Sequence, residues 1–143
     1  MDILLDTNVP LNVFLNGLHG HVRPQPLESM QVMDLIDQGN ITAWITPTGY
    51  SNTYFILKNY LDKAAAISHC NDLLNITSII GQDEAIFRSA LNSGWPDIED
   101  AGQYFAARQS SRIAHLCTCN AKDYKLASDL KVVSPKQLLA LLK

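Results

Sequence analysis

The sequence has little cysteine, no surplus of basic charge and no long apolar run, and each shortage excludes a class of protein. A balance of 11 Lys and Arg against 14 Asp and Glu gives a net charge of −3. That balance excludes a strongly basic nucleic-acid-binding surface over the whole chain. Spanning a bilayer takes about 20 consecutive apolar residues. The runs here are only a handful of residues long, so we expect no membrane segment.

The cysteines and the start of the chain indicate a reducing compartment. The 3 cysteines, Cys70, Cys117 and Cys119, are an odd number, and residues 1–6 lack the basic segment of a secretory leader. These features predict a cytoplasmic protein with free thiols. The spacing of Cys117 and Cys119 differs from that of a zinc knuckle, so we expect buried free cysteines rather than a cysteine metal site.

The sequence is rich in apolar residues for a chain of ordinary domain size. Hydrophobic residues make up 47% of the 143 residues and charged residues 17%, which excludes an intrinsically disordered chain. This length fits one domain built around one core. We therefore expect residues 1–143 to form a single domain.

Short apolar segments alternate along the chain with segments of helical periodicity. The predicted strands cover residues 3–5, 42–46, 76–80, 112–118 and 131–133. The predicted helices cover residues 9–15, 27–36, 50–61, 81–91 and 97–109, with two more that begin at residues 64 and 135. This alternation indicates βαβ units, and therefore an α/β fold with a mostly parallel sheet and helices on both faces. Ligands of such sheets bind beyond the carboxyl ends of the strands, at a switch in strand order.

Carboxylates and amides stand at or near the ends of the predicted strands. Asp6 ends the first strand directly and has no helix to cap, so a functional role is the preferred interpretation. The other candidates are Asn8 after the same strand, Asn52 in the helix after the second strand, Asp97, Glu99 and Asp100 in the first turn of the helix before the fourth strand, and Thr118, Asn120 and Asp123 after that strand. A parallel sheet would bring these segments to one edge.

Carboxylates gathered in this way, without matching bases, repel one another and require a cation. Oxygen ligands suit Mg²⁺ or Mn²⁺ rather than zinc. Such an ion orients and activates a water against a phosphodiester and neutralises the charge that develops. The pattern therefore predicts metal-dependent phosphodiester hydrolysis.

Structural roles compete with this interpretation at several positions. Asp97 and Glu99 stand where acids commonly cap a helix or favour its dipole, and we prefer that interpretation for both. Asp100, at the third helical position, can either reach back to the cap or point over the strand ends. Asp123 can be a turn residue.

Two further motifs have a simple structural explanation. Tyr50, Tyr54 and Tyr60 have the spacing of a base-stacking platform, but a stripe at helical spacing is more typical of core packing. His19 and His21 lie in a segment with glycine and prolines, where we expect solvated side chains rather than metal ligands.

The segments around the strand ends also form a recognisable series. They are LLDTNV at residues 4–9, DIEDA at 97–101, CTCNAKDY at 117–124 and VVSPKQLL at 132–139. In this order and spacing they resemble the motifs of PIN-domain nucleases, the fold of many VapC-like toxins in bacterial type II toxin–antitoxin pairs. The likeness extends over nearly the whole chain.

This resemblance implies a three-layer α/β/α sandwich and Mg²⁺- or Mn²⁺-dependent cleavage of RNA. It implies that Asp6, Asp100 and Asp123 are the catalytic, metal-binding acids. The residues in assisting or binding roles would be Asn8, Asn52, Asp97, Thr118 and Asn120. The resemblance also implies a homodimer and a small antitoxin protein that blocks the site.

Two positions depart from the family pattern. Asn52 stands where the family usually has a glutamate, and Asn120 where it often has an acid, although some members pair an asparagine there with a later acid such as Asp123. A missing carboxylate lowers the metal affinity that we expect. The alternative hypothesis is a catalytically weakened PIN-like module that binds RNA or a protein partner without efficient cleavage.

A phospho-accepting receiver domain would share the parallel sheet and the acidic edge. It requires an aspartate at the end of its third strand, and residues 78–82 have none, so we disfavour this interpretation. RNA would have to be held locally because the net charge does not attract it. The basic residues available for phosphate contacts are Arg23, Lys58, Lys63, Arg108, Arg112, Lys122 and Lys125.

Overall fold

The computed structural model describes residues 1–20 and 22–143, with the side chain of His19 left out. Within this part of the chain, five strands form one parallel sheet in the order β3-β2-β1-β4-β5. The strands are β1 (Asp2–Leu5), β2 (Thr42–Ile45), β3 (Ser78–Ile79), β4 (Ile113–Cys117) and β5 (Lys131–Val133). The expectation that His19 and His21 are solvated lies outside the described residues.

α-Helices connect the first four strands, a short 3₁₀ helix lies between β4 and β5, and a last α-helix follows β5. The α-helices are α1 (Asn8–Phe14), α2 (Pro26–Asp37), α3 (Pro47–Leu57), α4 (Lys63–Ile76), α5 (Glu84–Leu91), α6 (Ile98–Ala107) and α7 (Pro135–Leu141), with short 3₁₀ helices at Leu18–Gly20 and Ala121–Tyr124. None of the helices formed by residues 1–20 and 22–143 is both long and apolar enough to cross a membrane.

The central strand β1 packs against helices on both faces of the sheet. Its side chains alternate in direction: Ile3 and Leu5 join a core cluster with residues of α2 and α7. Leu4, between them, joins a second cluster with residues of α5 and α6. All three side chains are fully buried. The fold is therefore the predicted three-layer α/β/α sandwich with a parallel central sheet.

Several predicted elements differ in extent from those observed. The helix predicted at residues 50–61 is α3 at Pro47–Leu57, because Thr46 caps it, and two other differences concern β3 and α5. The third strand is reduced to Ser78–Ile79, because α4 continues through Ile76 and β3 is an edge strand that pairs with β2 alone. Helix α5 begins at Glu84 rather than at Gly81. The side chain of Asp83 accepts the backbone N–H of Ile86, so Asp83 is the N-cap and the residues before it are outside the helix.

The cysteines are free in the described structure, as the sequence predicts. Cys117 is fully buried, whereas Cys70 and Cys119 are half-buried. Of the tyrosine stripe, Tyr50 and Tyr54 pack beside core clusters. The prediction of core packing fails for Tyr60, which is 41% exposed because it follows the end of α3.

The strand order determines which chain segments meet at the carboxyl edge. β1 lies between β2 and β4, and the chain crosses to the other side of β1 when it enters β4. The residue after β1, Asp6, donates its backbone N–H to the carbonyl of Cys117, the last residue of β4, at 3.0 Å. This is the switch point at which α/β sheets bind ligands.

Candidate functional site

Asp6 is a buried carboxylate that accepts hydrogen bonds from three other segments of the chain. It is 6% exposed. Thr118 Oγ1 donates to Asp6 Oδ2 at 2.8 Å, Asn8 Nδ2 donates to the same oxygen at 3.2 Å, and Gln103 Nε2 donates to Oδ1 at 3.4 Å. Donors from α1, α6 and the residue after β4 therefore determine the orientation of this carboxylate.

The hydroxyl of Thr118 uses its full hydrogen-bonding capacity at this point. It donates its proton to Asp6 and accepts from Asn8 Nδ2 at 3.1 Å and from the backbone N–H of Asn120 at 3.0 Å. Asn8 in turn accepts the backbone N–H of Cys119 on its Oδ1 at 3.1 Å. These contacts hold the end of β4 and the start of α1 against each other beneath Asp6.

Asp100 lies in the first turn of α6 and is connected to Asp6 through two side chains. Its backbone N–H donates to Asp97 Oδ1 at 3.0 Å, so Asp97 is the N-cap. Tyr124 donates its hydroxyl to Asp100 Oδ1 at 3.2 Å and accepts from Gln103 Nε2 at 3.1 Å. Because Gln103 Nε2 also donates to Asp6, a continuous hydrogen-bonded path joins the two carboxylates.

The electrostatics of the two acids favour binding of a cation. Burial raises the pKa of Asp6 above its ordinary value, although the hydrogen bond from Thr118 partly opposes this shift. Burial, followed by the charges of Asp6 and Asp97, raises the pKa of Asp100 to about 7. Glu99 has a raised pKa for the same kinds of reason, with Asp97 and Asp6 as the nearby charges. A cation would relieve this repulsion.

The donor set suits a hard divalent cation. Mg²⁺ keeps several waters and is commonly bound by one or two carboxylates together with substrate phosphates. Asp6 and Asp100 supply two carboxylates, and their neighbours supply hydroxyl and amide oxygens. Within residues 1–20 and 22–143, no three His, Cys, Asp or Glu side chains are grouped closely enough to hold a metal ion.

An open pocket of about 390 Å³ lies beside Asp100. Its lining includes Asp97, Asp100 and Asp123 together with Lys122 and Lys125. The exposed side chain of Asp123 thus comes to the same pocket as Asp100, and its charge contributes to the raised pKa of Asp100. This surface combines acidic and basic groups.

The comparison with protein families decides the class of this chain. The family model described as PIN domain matches residues 2–122 of the 143 residues. The chain belongs to the PIN-domain family. A comparison with curated protein sequences finds no significant match.

Several solved structures share the fold at low sequence identity. VapBC-1 from nontypeable Haemophilus influenzae is 19% identical, with a TM-score of 0.67, and the match covers 95% of this chain and 99% of that one. VapBC2 from Rickettsia felis bound to a promoter DNA fragment is 15% identical, with a TM-score of 0.66 and coverage of 94% and 98%. The Sarcin-Ricin loop cleaving toxin VapC20 from Mycobacterium tuberculosis is 13% identical, with a TM-score of 0.64 and coverage of 91% and 98%.

Within this PIN domain, Asn52 and Asn120 are less closely joined to the acids than Asn8 and Thr118. Asn120 is exposed, and its backbone N–H donates to Thr118 Oγ1. Asn52 is half-buried on α3, and within residues 1–20 and 22–143 no hydrogen bond joins its side chain to Asp6, Asp100 or Asp123. At Gly49 of α3, an added Cβ would lie 3.2 Å from Cγ2 of Thr7, the residue that follows Asp6.

Sequence reasoning missed two residues of the PIN-domain network, Gln103 and Tyr124. Gln103 is 1% exposed and Tyr124 is 2% exposed. A search for charged residues at strand ends does not select a neutral amide or a phenol. The available signal was a polar Gln on the face of α6 that also carries the buried Ala106 and Ala107, because an amide there needs a polar partner.

Proposed function

We propose that this PIN domain is a metal-dependent ribonuclease that hydrolyses RNA phosphodiester bonds, with residues 1–143 acting as one domain. The observation that carries the proposal is the pair of acids at the switch point of the sheet. Asp6 is buried and Asp100 half-buried, and burial together with the charge of Asp6 raises the pKa of Asp100. Paired acids of this kind are suited to bind Mg²⁺ or Mn²⁺.

In the proposed mechanism, Asp6 and Asp100 would hold the cation, and Asp123 would contribute negative charge from the pocket wall. A bound divalent ion would supply an activated water and stabilisation of the charge that develops on the phosphate. Thr118 and Asn8 keep the Asp6 carboxylate in one orientation. Lys122 and Lys125 contact backbone phosphates of RNA along the pocket.

We further propose that the chain is the toxin of a toxin–antitoxin pair, acts in the cytoplasm and forms a homodimer. Support for an antitoxin partner comes from the structural neighbours, two of which are described as VapBC assemblies and one as a toxin–antitoxin complex from Klebsiella pneumoniae. An RNA substrate is supported by the neighbour described as a Sarcin-Ricin loop cleaving toxin.

The test is cleavage of a structured RNA in the presence of Mn²⁺ by the wild type and by Asp6→Asn. We expect cleavage by the wild type and a loss of at least about 100-fold in the variant, since removing a metal ligand should cost at least as much as removing a residue that supports one. Asp34→Asn makes the same change at an exposed position on α2 and should cleave like the wild type. Equal activity in the wild type and Asp6→Asn, or no cleavage at any metal concentration, would contradict the proposal.

The second candidate function is a PIN module that binds RNA or a protein partner without efficient cleavage. The observation that favours it is Asn52, a neutral side chain at the position where a glutamate is usual. Calorimetry with Mn²⁺ separates the two functions. Site-specific binding that Asp100→Ala abolishes supports the nuclease, and the absence of such binding supports the module.

A further inference from the structure

The two side chains between Asp6 and Asp100 do more than fill the core. Gln103 Nε2 has two protons, and it directs them to Asp6 Oδ1 at 3.4 Å and to Tyr124 Oη at 3.1 Å. The Tyr124 hydroxyl then donates to Asp100 Oδ1 at 3.2 Å. We infer that Gln103 and Tyr124 are positioning residues that hold the two carboxylates in the arrangement that binds the cation. This inference rests on the proposed function.

The hydrogen-bonded path from Asp6 through Gln103 and Tyr124 to Asp100 is called the relay below. The donor directions along it follow from the chemistry of these side chains. An ionised carboxylate only accepts hydrogen bonds, so the Gln103 amide must present its NH₂ group, and not its oxygen, to Asp6. The Tyr124 phenol, like that of an ordinary tyrosine, carries its proton at neutral pH. The phenol can then accept from Gln103 and donate to Asp100 at the same time.

The relay leaves one polar atom unsatisfied. Gln103 Oε1 is buried and has no hydrogen-bond partner among the described residues. A buried polar atom without a partner costs about 1–3 kcal/mol, and a hydrophobic side chain of similar size would avoid this cost. The fold therefore tolerates a local loss of stability, which we attribute to the task of holding Asp6 and Tyr124 in place.

The two tyrosines of this core offer a matched pair for the test. Tyr124 and Tyr104 are 2% and 3% exposed, and both rings contact Trp95, at centroid distances of 5.8 Å and 5.1 Å. The Tyr104 ring also contacts Phe105 and Arg108, and its hydroxyl donates to Asp129 Oδ2 at 3.4 Å, whereas that of Tyr124 donates to Asp100. Tyr124→Phe and Tyr104→Phe therefore remove the same group from two buried tyrosines that differ in the acid they contact.

The experiment measures Mn²⁺ affinity by calorimetry and by the electron paramagnetic resonance signal of free Mn²⁺, alongside the Tm of the metal-free protein. We expect Tyr124→Phe to weaken Mn²⁺ binding about tenfold, the scale of residues that orient metal ligands, and Tyr104→Phe to bind like the wild type. Equal Mn²⁺ affinity in the two variants would overturn the inference. So would a weakening in Tyr124→Phe that is matched by a proportionate loss of folded protein.

A second variant tests whether the two residues act as one unit. Gln103→Met keeps an unbranched side chain of similar length and removes the amide. We expect it to weaken Mn²⁺ binding, and we expect the double variant with Tyr124→Phe to lose no more than the larger single effect, since both changes interrupt the same path. Fully additive losses would contradict a shared relay.

The failure of this inference is distinguishable from failure of the proposed function. If the wild type binds Mn²⁺ and cleaves RNA while Tyr124→Phe binds as tightly, only the relay is wrong. If the wild type shows neither Mn²⁺ binding nor cleavage, the proposed function fails and the relay fails with it.

Discussion

β1 and β2 lie side by side in the sheet, and a buried polar residue follows each strand at the carboxyl edge, Asp6 after β1 and Thr46 after β2. The Thr46 hydroxyl accepts the backbone N–H of Gly49 at 3.1 Å and caps α3, the helix that it precedes. Asp6 instead accepts from Thr118 and Gln103, which are 112 and 97 residues away in sequence. The residue at the end of β2 therefore caps the helix that follows it, whereas the residue at the end of β1 contacts segments that are distant in sequence.

The difference between Thr46 and Asp6 shows where this fold buries an ionisable side chain despite the free energy that its desolvation costs. A hydroxyl such as that of Thr46 is satisfied by its own helix, so it does not require a partner from elsewhere. An ionised carboxylate in the same layer needs several donors, and Asp6 receives them from three segments. Among the residues that the structure describes, the one buried side chain of Asp or Glu is Asp6 at the switch point, which we therefore treat as the site.

The largest expected effect comes from Asp100→Asn. Removing this proposed metal ligand should reduce Mn²⁺-dependent cleavage by at least about 100-fold. It should also raise the Tm of the metal-free protein by about 2–4 °C at a pH above 7, because it removes the repulsion with Asp6 and Asp97. Cleavage assays and thermal melts measure the two effects, and a variant that is both inactive and less stable would contradict this account.

The same residue predicts how stability depends on pH. The pKa of Asp100 is raised from 3.8 to about 7 in the folded protein, so the folded state holds a proton that the unfolded state releases in this interval. The stability contribution of Asp100 is therefore lost as the pH rises from 3.8 towards about 7. Thermal melts of the metal-free wild type should show this decline, and Asp100→Asn should show less of it.

A smaller effect is expected from the lysines of the pocket. The double variant Lys122→Ala and Lys125→Ala should raise the KM for RNA about tenfold with little change in kcat, and should reduce the salt dependence of binding. Lys58 and Lys63, near the end of α3 and the start of α4, provide the control pair. An equal rise in KM for the control pair would contradict a specific role of the pocket lysines in RNA binding.

A change on α3 tests whether the β2 side of the edge contributes to the site at all. Asn52→Glu should strengthen Mn²⁺ binding a few-fold, since added negative ligand charge raises the affinity for a divalent cation. Ser51→Glu adds the same charge at the neighbouring exposed position of α3. If both variants bind Mn²⁺ like the wild type, residue 52 lies outside the reach of the cation.

The smallest effect on cleavage is expected at the end of β2. Thr46→Ala removes the cap of α3 and should lower stability by about 1 kcal/mol, with cleavage unchanged for the folded protein. Thr46→Ser keeps the accepting oxygen and should recover most of the stability. Loss of cleavage in Thr46→Ala at a temperature where it is fully folded would contradict a purely structural role for Thr46.

Much of the fold was predictable because its signals are local. The fully apolar run at Ile3–Leu5 indicated a strand covered on both faces, and the alternation of elements predicted the parallel sheet. The limits of β3 and α5 were not predictable in this way, because they depend on how far α4 extends and on a single cap at Asp83.

The part of the site that lies at the strand ends was predictable. Asp6 was selected because it ends the first strand and has no helix to cap, and Asp100 because its segment resembles the family motif; Asn8 and Thr118 were selected with them and bond to Asp6. A hydrogen-bonded path connects the two acids. Gln103 and Tyr124 were missed because their importance comes from a contact between α6 and a 3₁₀ turn, which no single segment reveals. Their partnership is a product of packing and not of local sequence preference.

The long span between Asp6 and Thr118 has a consequence for synthesis of the chain. The first acid is made almost at once, but the hydroxyl that orients it follows 112 residues later. Until β4 has been made and has paired with β1, Asp6 lacks this donor, and burial of its carboxylate is not compensated by the hydrogen bond from Thr118. A chain still growing on the ribosome therefore cannot assemble the cluster, and any activity of the cluster begins only after most of the protein has been completed.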